Sequence, residues 1–162
     1  MPLIGCMKHS LLAVLLFCVT ACGASPPPCS DSDMSFSAPS AGCLVVDARG
    51  VLLVRDWQGR LALPGGSAAR GETARCAAQR EVFEETSLVV KAGALAERFD
   101  NGFHLFWCDG PLGGKPAVQR PLEVKEAGWW HPYAIPETDW RYPGQGQQII
   151  ALLQAPADNA DL

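Results

Sequence analysis

The chain has 162 residues, of which 48% are apolar and 19% are charged, and its formal net charge is −4. This length favours a single domain, and the apolar fraction suffices for a hydrophobic core, which argues against an intrinsically disordered chain. The acidic balance argues against a duplex nucleic-acid binder, because such a protein presents a clustered basic surface. No apolar run approaches the roughly 18 consecutive residues that a membrane-spanning helix needs.

The first 21 residues have the layout of an export signal. They contain one cation, Lys8, and no acid, and the apolar run Leu11–Val19 follows. A short basic head, about 7–15 apolar residues and then small residues form the pattern of a secretory signal. A buried core helix is the alternative, but it is disfavoured by the nearby Pro26–Pro28, which cannot continue a helix.

The end of this run, Val19–Cys22, resembles the lipobox of bacterial lipoproteins. The resemblance implies that residues 1–21 are removed and that acyl chains on Cys22 anchor the protein to a membrane of the cell envelope, facing the periplasm or the exterior. Gly23 follows Cys22, which by the same resemblance favours the outer membrane where the cell has one. Plain secretion and an uncleaved anchor are the alternatives. We expect a Ser/Pro-rich tether over residues 22–40, a folded domain over 41–155 and a short tail over 156–162.

The folded part begins with strands and a helix. Short β-branched and leucine runs separated by turn residues predict strands at Cys43–Val46, Val51–Val54 and Leu61–Leu63. Pro64 to Gly66 break this pattern. Residues Glu72–Thr86 contain no glycine or proline and are rich in alanine and glutamate, which predicts a helix.

The second half predicts more strands and a closing helix. The predicted strands are Leu88–Val90, Ala94–Phe99, Phe103–Trp107 and Val124–Trp130. Asn101 and Gly102 predict a hairpin turn, Gly110–Pro121 a loop, and Gln145–Gln154 a helix. The pattern indicates one α/β domain (α+β) with a mixed β-sheet and a central helix.

Three carboxylates share one face of the central helix. Glu81, Glu84 and Glu85 stand at i, i+3 and i+4. Like charges at this spacing repel, and the only cation beside them is Arg80. A divalent ion such as Mg²⁺ or Mn²⁺ takes oxygen ligands and would relieve that repulsion. A solvated helix face is the alternative.

The spacing of six residues identifies a motif. Gly66, Glu72, Arg80, Glu81, Glu84 and Glu85 follow the pattern G-x5-E-x7-R-E-x-x-E-E, with Val82 and Leu88 at two aliphatic positions. This resembles the Nudix box. The resemblance implies a Nudix fold, with a mixed sheet between helices, and divalent-metal-dependent hydrolysis of a pyrophosphate linkage.

The resemblance also implies roles for the motif residues. Glu84 and Glu85 would be metal ligands with the Gly66 carbonyl, and Glu81 would be a ligand or the base that activates water. Arg80 would orient a glutamate, and Glu72 would be structural or an outer ligand. Ser87 stands where the family has glycine, just past the helix, so a positive φ there would cost on the order of 1 kcal/mol.

Aromatic residues outside the motif are candidates for the walls of a substrate cleft, although most aromatic side chains lie in protein cores. Trp140 and Tyr142 are favoured because they lie in a proline-rich loop. The other candidates are Trp57, Phe103, His104, Trp129, Trp130 and His131. Glu123 and Glu126 are candidates for a further metal ligand or, more simply, surface charges.

The number of cysteines is relevant to whether the protein lies in an oxidising compartment, where disulfides form. If residues 1–21 are removed and Cys22 is acylated, four remain: Cys29, Cys43, Cys76 and Cys108. Four cysteines allow three pairings in an oxidising compartment, and buried free thiols are the alternative.

The expected substrate is a nucleoside diphosphate linked to another group, or a lipid-linked or sugar-linked diphosphate at the envelope. Nucleoside triphosphates are scarce outside the cytoplasm, so a role in cleansing the nucleotide pool fits poorly. A non-catalytic ligand-binding lipoprotein with a Nudix fold is the alternative. The sequence carries no indication of oligomeric state.

Overall fold

A computed structural model describes residues 24–110 and 114–155. The predicted signal peptide, the lipidation site Cys22 and the tail at 156–162 lie outside the described residues. Within the described residues, no helix has the length and apolar character needed to cross a bilayer.

The first sheet is mixed and places its strands in the order β5-β1-β7-β6. Its strands are β1 (Ser40–Leu44), β5 (Gly65–Ser67), β6 (Lys91–Arg98) and β7 (Phe103–Asp109). β1 and β7 run parallel, whereas the β5–β1 and β6–β7 pairs are antiparallel. The turn between β6 and β7 contains Gly102 at φ +84°, so the hairpin predicted at Asn101 and Gly102 is confirmed.

The second sheet is antiparallel and is built around β3 (Gly50–Arg55). One edge of β3 pairs with β2 (Val46–Asp47) and β4 (Leu61–Ala62), and the other edge pairs with β8 (Glu126–Trp130). The strand predicted at Cys43–Val46 is therefore divided. Its first part belongs to β1 in one sheet and its last residue belongs to β2 in the other.

Two helices cover the sheets through two apolar clusters. Helix α1 (Ala74–Thr86) buries Ala74, Ala77, Ala78 and Val82 against Cys43 and Phe106 of the first sheet. Helix α2 (Gln145–Gln154) contributes Ile149 to the second cluster, which contains Leu44, Leu53 and Leu105. Adjacent residues of β1 and β7 point into different clusters because side chains alternate along a strand. The single α+β domain predicted from the sequence is confirmed.

Several predicted elements differ from the observed ones. Strand β6 begins at Lys91 rather than Ala94, and Gly65 and Gly66, predicted to break the strand pattern, lie in β5. Helix α1 begins at Ala74 rather than Glu72, because the Thr73 side chain accepts the N–H of Cys76 and caps the helix. Strand β8 begins at Glu126 rather than Val124. Leu88–Val90 forms no strand; Leu88 and Val90 are buried in the first cluster without a strand partner.

The segment before β1 packs on the domain from Cys29 onward, which differs from a free tether reaching to residue 40. A disulfide joins Cys29 to Cys76 of α1, and the Phe36 ring packs on Phe106 with 5.8 Å between ring centroids. A second disulfide joins Cys43 of β1 to Cys108 of β7. The four cysteines that follow Cys22 are thus paired.

Candidate active site

The glycines of β5 bring a backbone edge against the acidic face of α1. A Cβ built on Gly66 would lie 2.6–2.8 Å from the carboxylate atoms of Glu81, which is closer than real contacts allow. Only glycine leaves room for that carboxylate at this position. Gly66 is therefore required by the placement of Glu81, whereas a Cβ on Gly65 would clash with the β1 backbone at Ala41 and Gly42.

Glu85 lies deeper than Glu81 and is almost completely buried. Its Oε2 accepts the backbone N–H of Gly65 at 3.0 Å. Burial raises the pKa of Glu85 to about 8, and the neighbouring Glu81 adds to that shift. Burial likewise raises the pKa of Glu81, although the Arg80 guanidinium partly opposes it. A cation in this site would favour the charged forms of both groups.

Arg80 ties the glutamates of the motif together. Its Nε and Nη2 donate to the two carboxylate oxygens of Glu72 at 2.9 and 3.0 Å, and its Nη1 donates to Glu81 at 2.7 Å and Glu84 at 3.0 Å. Despite the opposing effect of burial, the hydrogen bonds from Arg80 and the Ala69 N–H lower the pKa of Glu72. Arg80 thus contacts three glutamates of the motif. The orienting role of Arg80 and the structural or outer-ligand role of Glu72 stay predictions.

Glu84 is held between two arginines. Besides Arg80, Arg120 Nη2 lies 2.6 Å from Glu84 Oε2. Over the described part of the chain, no three histidine, cysteine or acidic side chains are grouped to hold a metal ion. The guanidinium groups of Arg80 and Arg120 thus lie beside Glu84, where a divalent cation would lie if Glu84 were its ligand.

The residues nevertheless fit a hard divalent cation. The carboxylates of Glu81 and Glu85 both line the cleft with Gly66, and burial raises the pKa of both carboxyls, which a cation beside them would oppose. Carboxylate and carbonyl oxygens are the ligands that Mg²⁺ and Mn²⁺ prefer. Together, these oxygens provide the donor types that the predicted metal needs.

A cleft of about 580 Å³ opens above these carboxylates. Among its aromatic candidates, Tyr142 and Trp57 line the wall and are 51% and 59% exposed. The remaining lining residues are Asp56, Gln58, Gly65, Gly66, Ser67, Glu81, Glu85, Arg120, Leu122, Glu123 and Arg141. The cleft thus combines acidic groups at its floor with arginines and exposed apolar groups at its walls.

Six of the eight predicted substrate contacts do not line the cleft: Phe103, His104, Trp129, Trp130, His131 and Trp140. Trp140 is only 4% exposed, because its backbone pairs with Leu61 and its ring packs in the second apolar cluster. Phe103 packs edge-to-face on Phe99 and comes within 2.6 Å of a Cβ built on Gly42. Both rings fill the interior, so their prediction as substrate contacts is corrected.

The sequence reasoning missed the two arginines of the cleft. Arg120 comes from the segment before β8 and Arg141 from the loop before α2, more than 30 residues from the Nudix-like motif. Neither belongs to a local pattern. The available signal was their position in loops rich in proline, where functional residues are often found.

Ser87 has the left-handed backbone expected at this position, with φ +61° and ψ 6°. Its N–H donates to the Phe83 carbonyl at 2.8 Å, which closes the end of α1. It is the only residue other than glycine with positive φ in the described ranges. Its side chain does not line the cleft with Glu81 and Glu85.

Comparison with known proteins decides the family. The Nudix domain family matches residues 37–152, which include the motif, the cleft and both sheets. The chain belongs to the Nudix hydrolase family. No curated protein matches the sequence.

Solved Nudix structures share the fold at low sequence identity. A UDP-X diphosphatase aligns with a TM-score of 0.60 at 19% identity, over 73% of this chain and 63% of its own. An ADP-ribose pyrophosphatase from Streptococcus suis aligns with a TM-score of 0.60 at 20% identity, over 76% and 92%. A MutT Nudix hydrolase from Burkholderia pseudomallei gives 0.53 at 23% identity, over 74% and 98%. At sequence identities of 19–23%, the structural similarity shows the fold alone.

Membership gives the general reaction of this Nudix hydrolase, which is cleavage of a pyrophosphate linkage. Enzymes of the family generally use divalent metals such as Mg²⁺. The substrate of this chain and its location are separate questions.

Proposed function

We propose that this Nudix hydrolase cleaves the diphosphate of a nucleoside diphosphate linked to another group, or of a lipid-linked or sugar-linked diphosphate, with Mg²⁺ or Mn²⁺ at the cell envelope. The observation that carries the proposal is the pair of buried carboxylates, Glu81 and Glu85, against the glycines of β5 at the floor of an arginine-walled cleft.

The cation would be held by Glu84, Glu85 and the Gly66 carbonyl, while Glu81 would act as the base that activates water. When bound, it would neutralise negative charge on the diphosphate oxygens. Arg80 already orients Glu81 and Glu84 through short hydrogen bonds. For Glu84 to bind the cation, the Arg120 guanidinium would move from Glu84 to another anionic partner.

In the proposed reaction, water attacks one phosphorus atom and its proton passes to the Glu81 carboxylate. The bond between that phosphorus and the bridging oxygen breaks, and the leaving phosphate keeps this oxygen and the electron pair of the broken bond. Gly66 leaves the space in which the carboxylate can face the water.

Three observations support the substrate class and the location. The wall of the cleft offers cations for phosphate and exposed Trp57 and Tyr142 for a planar or apolar group. Two disulfides are typical of proteins in oxidising compartments. The signal-like N-terminus with Cys22 favours export and acylation.

The experiment is a release assay on the purified chain of 162 residues with Mg²⁺, Mn²⁺ or a chelator. The substrates are ADP-ribose, a UDP-sugar, a dinucleoside polyphosphate, a nucleoside triphosphate and an isoprenyl diphosphate. We expect metal-dependent turnover of the diphosphate-linked classes and a loss of at least about 100-fold in Glu85→Gln.

The matched control is Glu97→Gln, which changes an exposed glutamate of β6. It should keep the wild-type rate. If no substrate were turned over with either metal while the chain remained folded, the activity would be rejected in favour of a non-catalytic ligand-binding lipoprotein. Activity on nucleoside triphosphates alone would reject the envelope substrate class.

A further inference from the structure

The end of helix α1 is fastened to the loop that carries Arg120. Ser87 Oγ donates to the Ala117 carbonyl at 2.7 Å, and the Ala117 N–H donates to the Thr86 carbonyl at 2.8 Å. Gln119 Nε2 donates to the Phe83 carbonyl at 3.1 Å. These three bonds fix the loop immediately before Arg120. One of them uses the Thr86 carbonyl at the end of the helix, and another uses the Phe83 carbonyl, which also accepts the Ser87 N–H.

The other side of Arg120 is fixed as well. Trp57 Nε1 donates to the Pro121 carbonyl at 3.0 Å, and the Lys125 N–H donates to the Arg55 carbonyl at 2.8 Å. Arg120 itself therefore stands between two anchored stretches. Its guanidinium is 2.6 Å from Glu84 and 3.3 Å from Glu123, and it lines the cleft.

The backbone of Ser87 is strained at this fastening. A serine at φ +61° is strained, and glycine would adopt the same conformation freely. The hydroxyl is what glycine lacks, and it makes the shortest of the three bonds to the loop. Strained residues that persist in a well-packed fold are often functional.

We propose that Ser87 is a positioning residue that holds the loop 117–121 so that Arg120 presents its guanidinium to the diphosphate of the substrate. Arg120 exchanges the Glu84 carboxylate for phosphate oxygens when the diphosphate enters, since a guanidinium binds both with the same forked geometry. That exchange returns Glu84 to the acidic floor of the cleft. This inference rests on the proposed diphosphate substrate.

The test measures binding of methylenediphosphonate, a diphosphate analogue that cannot be hydrolysed at its bridge, to the full chain by calorimetry with Mg²⁺ present. Ser87→Gly removes the hydroxyl and relieves the strained φ, so the midpoint of thermal unfolding stays equal or rises. We expect about fivefold weaker binding in Ser87→Gly and at least about tenfold weaker binding in Arg120→Ala. Ser32→Gly, in the exposed segment before β1, is the matched control and should bind as the wild type does.

The double variant Ser87→Gly/Arg120→Ala distinguishes positioning from a merely structural role. If Ser87 acts through Arg120, the double variant binds within about twofold of Arg120→Ala alone. Unchanged binding in Ser87→Gly, or losses that multiply in the double variant, would overturn the inference. Absence of saturable binding to the wild type would also overturn it.

Turnover separates this inference from the proposed function. With an active substrate, Ser87→Gly should raise KM about fivefold and leave kcat within about twofold. If the wild type binds methylenediphosphonate with the expected coupling but hydrolyses no substrate, the positioning role stands and the catalytic function fails.

Discussion

The Glu85 carboxyl is costly to keep ionised without a cation. It is almost fully buried, it accepts one hydrogen bond from Gly65, and its pKa is raised from about 4.5 in the unfolded chain to about 8 in the folded one. Between these values the folded state binds the proton more tightly than the unfolded state does. The stability that the tighter proton binding by Glu85 gives to the folded state is therefore fully present below about pH 4.5, and it is lost as the pH rises through about 8.

This linkage predicts a pH-dependent effect of Glu85→Gln. In chelator, the variant should unfold at a higher temperature than the wild type at pH 9, with a smaller difference at pH 5, because glutamine carries no charge to bury. Thermal unfolding followed by circular dichroism measures the difference. Glu97→Gln should parallel the wild type, and parallel curves for Glu85→Gln would contradict a buried, cation-poor site.

Gly66 gives a second prediction for a single residue. Gly66→Ala places a methyl group 2.6–2.8 Å from the Glu81 carboxylate, so Glu81 must leave its position. We expect a loss of activity of at least about 100-fold with the fold retained, measured as kcat/KM together with circular dichroism. Gly93→Ala on β6, whose nearest neighbour is a carbonyl oxygen at 3.2 Å, should remain active. Equal activities of the two variants would mean that Glu81 does not need this space.

Helix α1 carries the acidic motif, and the Cys29–Cys76 disulfide ties it to the segment before β1. The two cysteines are 47 residues apart, so the bond restricts the unfolded chain and stabilises the fold by up to about 4 kcal/mol. Cys29→Ser should lower the midpoint of unfolding by several degrees. The segment retains other contacts, such as that of Phe36 with Phe106, so the variant should still fold.

Scanning calorimetry of Cys29→Ser with and without a reductant tests this prediction. Reduction of the wild type should lower the midpoint of unfolding by at least as much as Cys29→Ser does, because it also opens the Cys43–Cys108 bond between β1 and β7. An unfolding temperature that neither the substitution nor the reductant changes would show that the bond does not constrain the domain.

The sequence predicted the elements well where the determinant was local. Helix α1 was found from the absence of glycine and proline, and its start was misplaced by two residues because the cap at Thr73 was not used. Leu88 and Val90 resembled a strand by composition, but they meet no neighbouring strand and contribute only to the core. Strand pairing depends on distant partners, which no local pattern encodes.

The same distinction applies to the site. Gly66, Arg80, Glu81 and Glu85 share one helix and one strand, so their spacing predicts their proximity, and the structure brings them together. Arg120 and Arg141 enter from separate loops and were missed. Trp140 was misjudged because a proline-rich loop does not exclude backbone pairing with Leu61 that turns its ring inward.

On the scale of the whole molecule, we propose that a signal peptide and an acylated Cys22 precede the Nudix domain. When the chain is expressed in a bacterium fed a labelled fatty acid, we expect label on the protein and partition into the detergent phase. Cys22→Ser should abolish both, whereas Cys18→Ser should not, since Cys18 lies within the predicted signal. Label on the Cys22→Ser protein would contradict the predicted anchor.

The reaction itself is tested most directly by carrying out the hydrolysis of ADP-ribose or a UDP-sugar in ¹⁸O-labelled water and analysing the products by mass spectrometry. We expect two monophosphates, with one ¹⁸O atom in one of them. They should form only with Mg²⁺ or Mn²⁺, and their formation should be nearly lost in Glu85→Gln. Failure to cleave either compound, cleavage outside the diphosphate, or an equal rate in Glu85→Gln would contradict it.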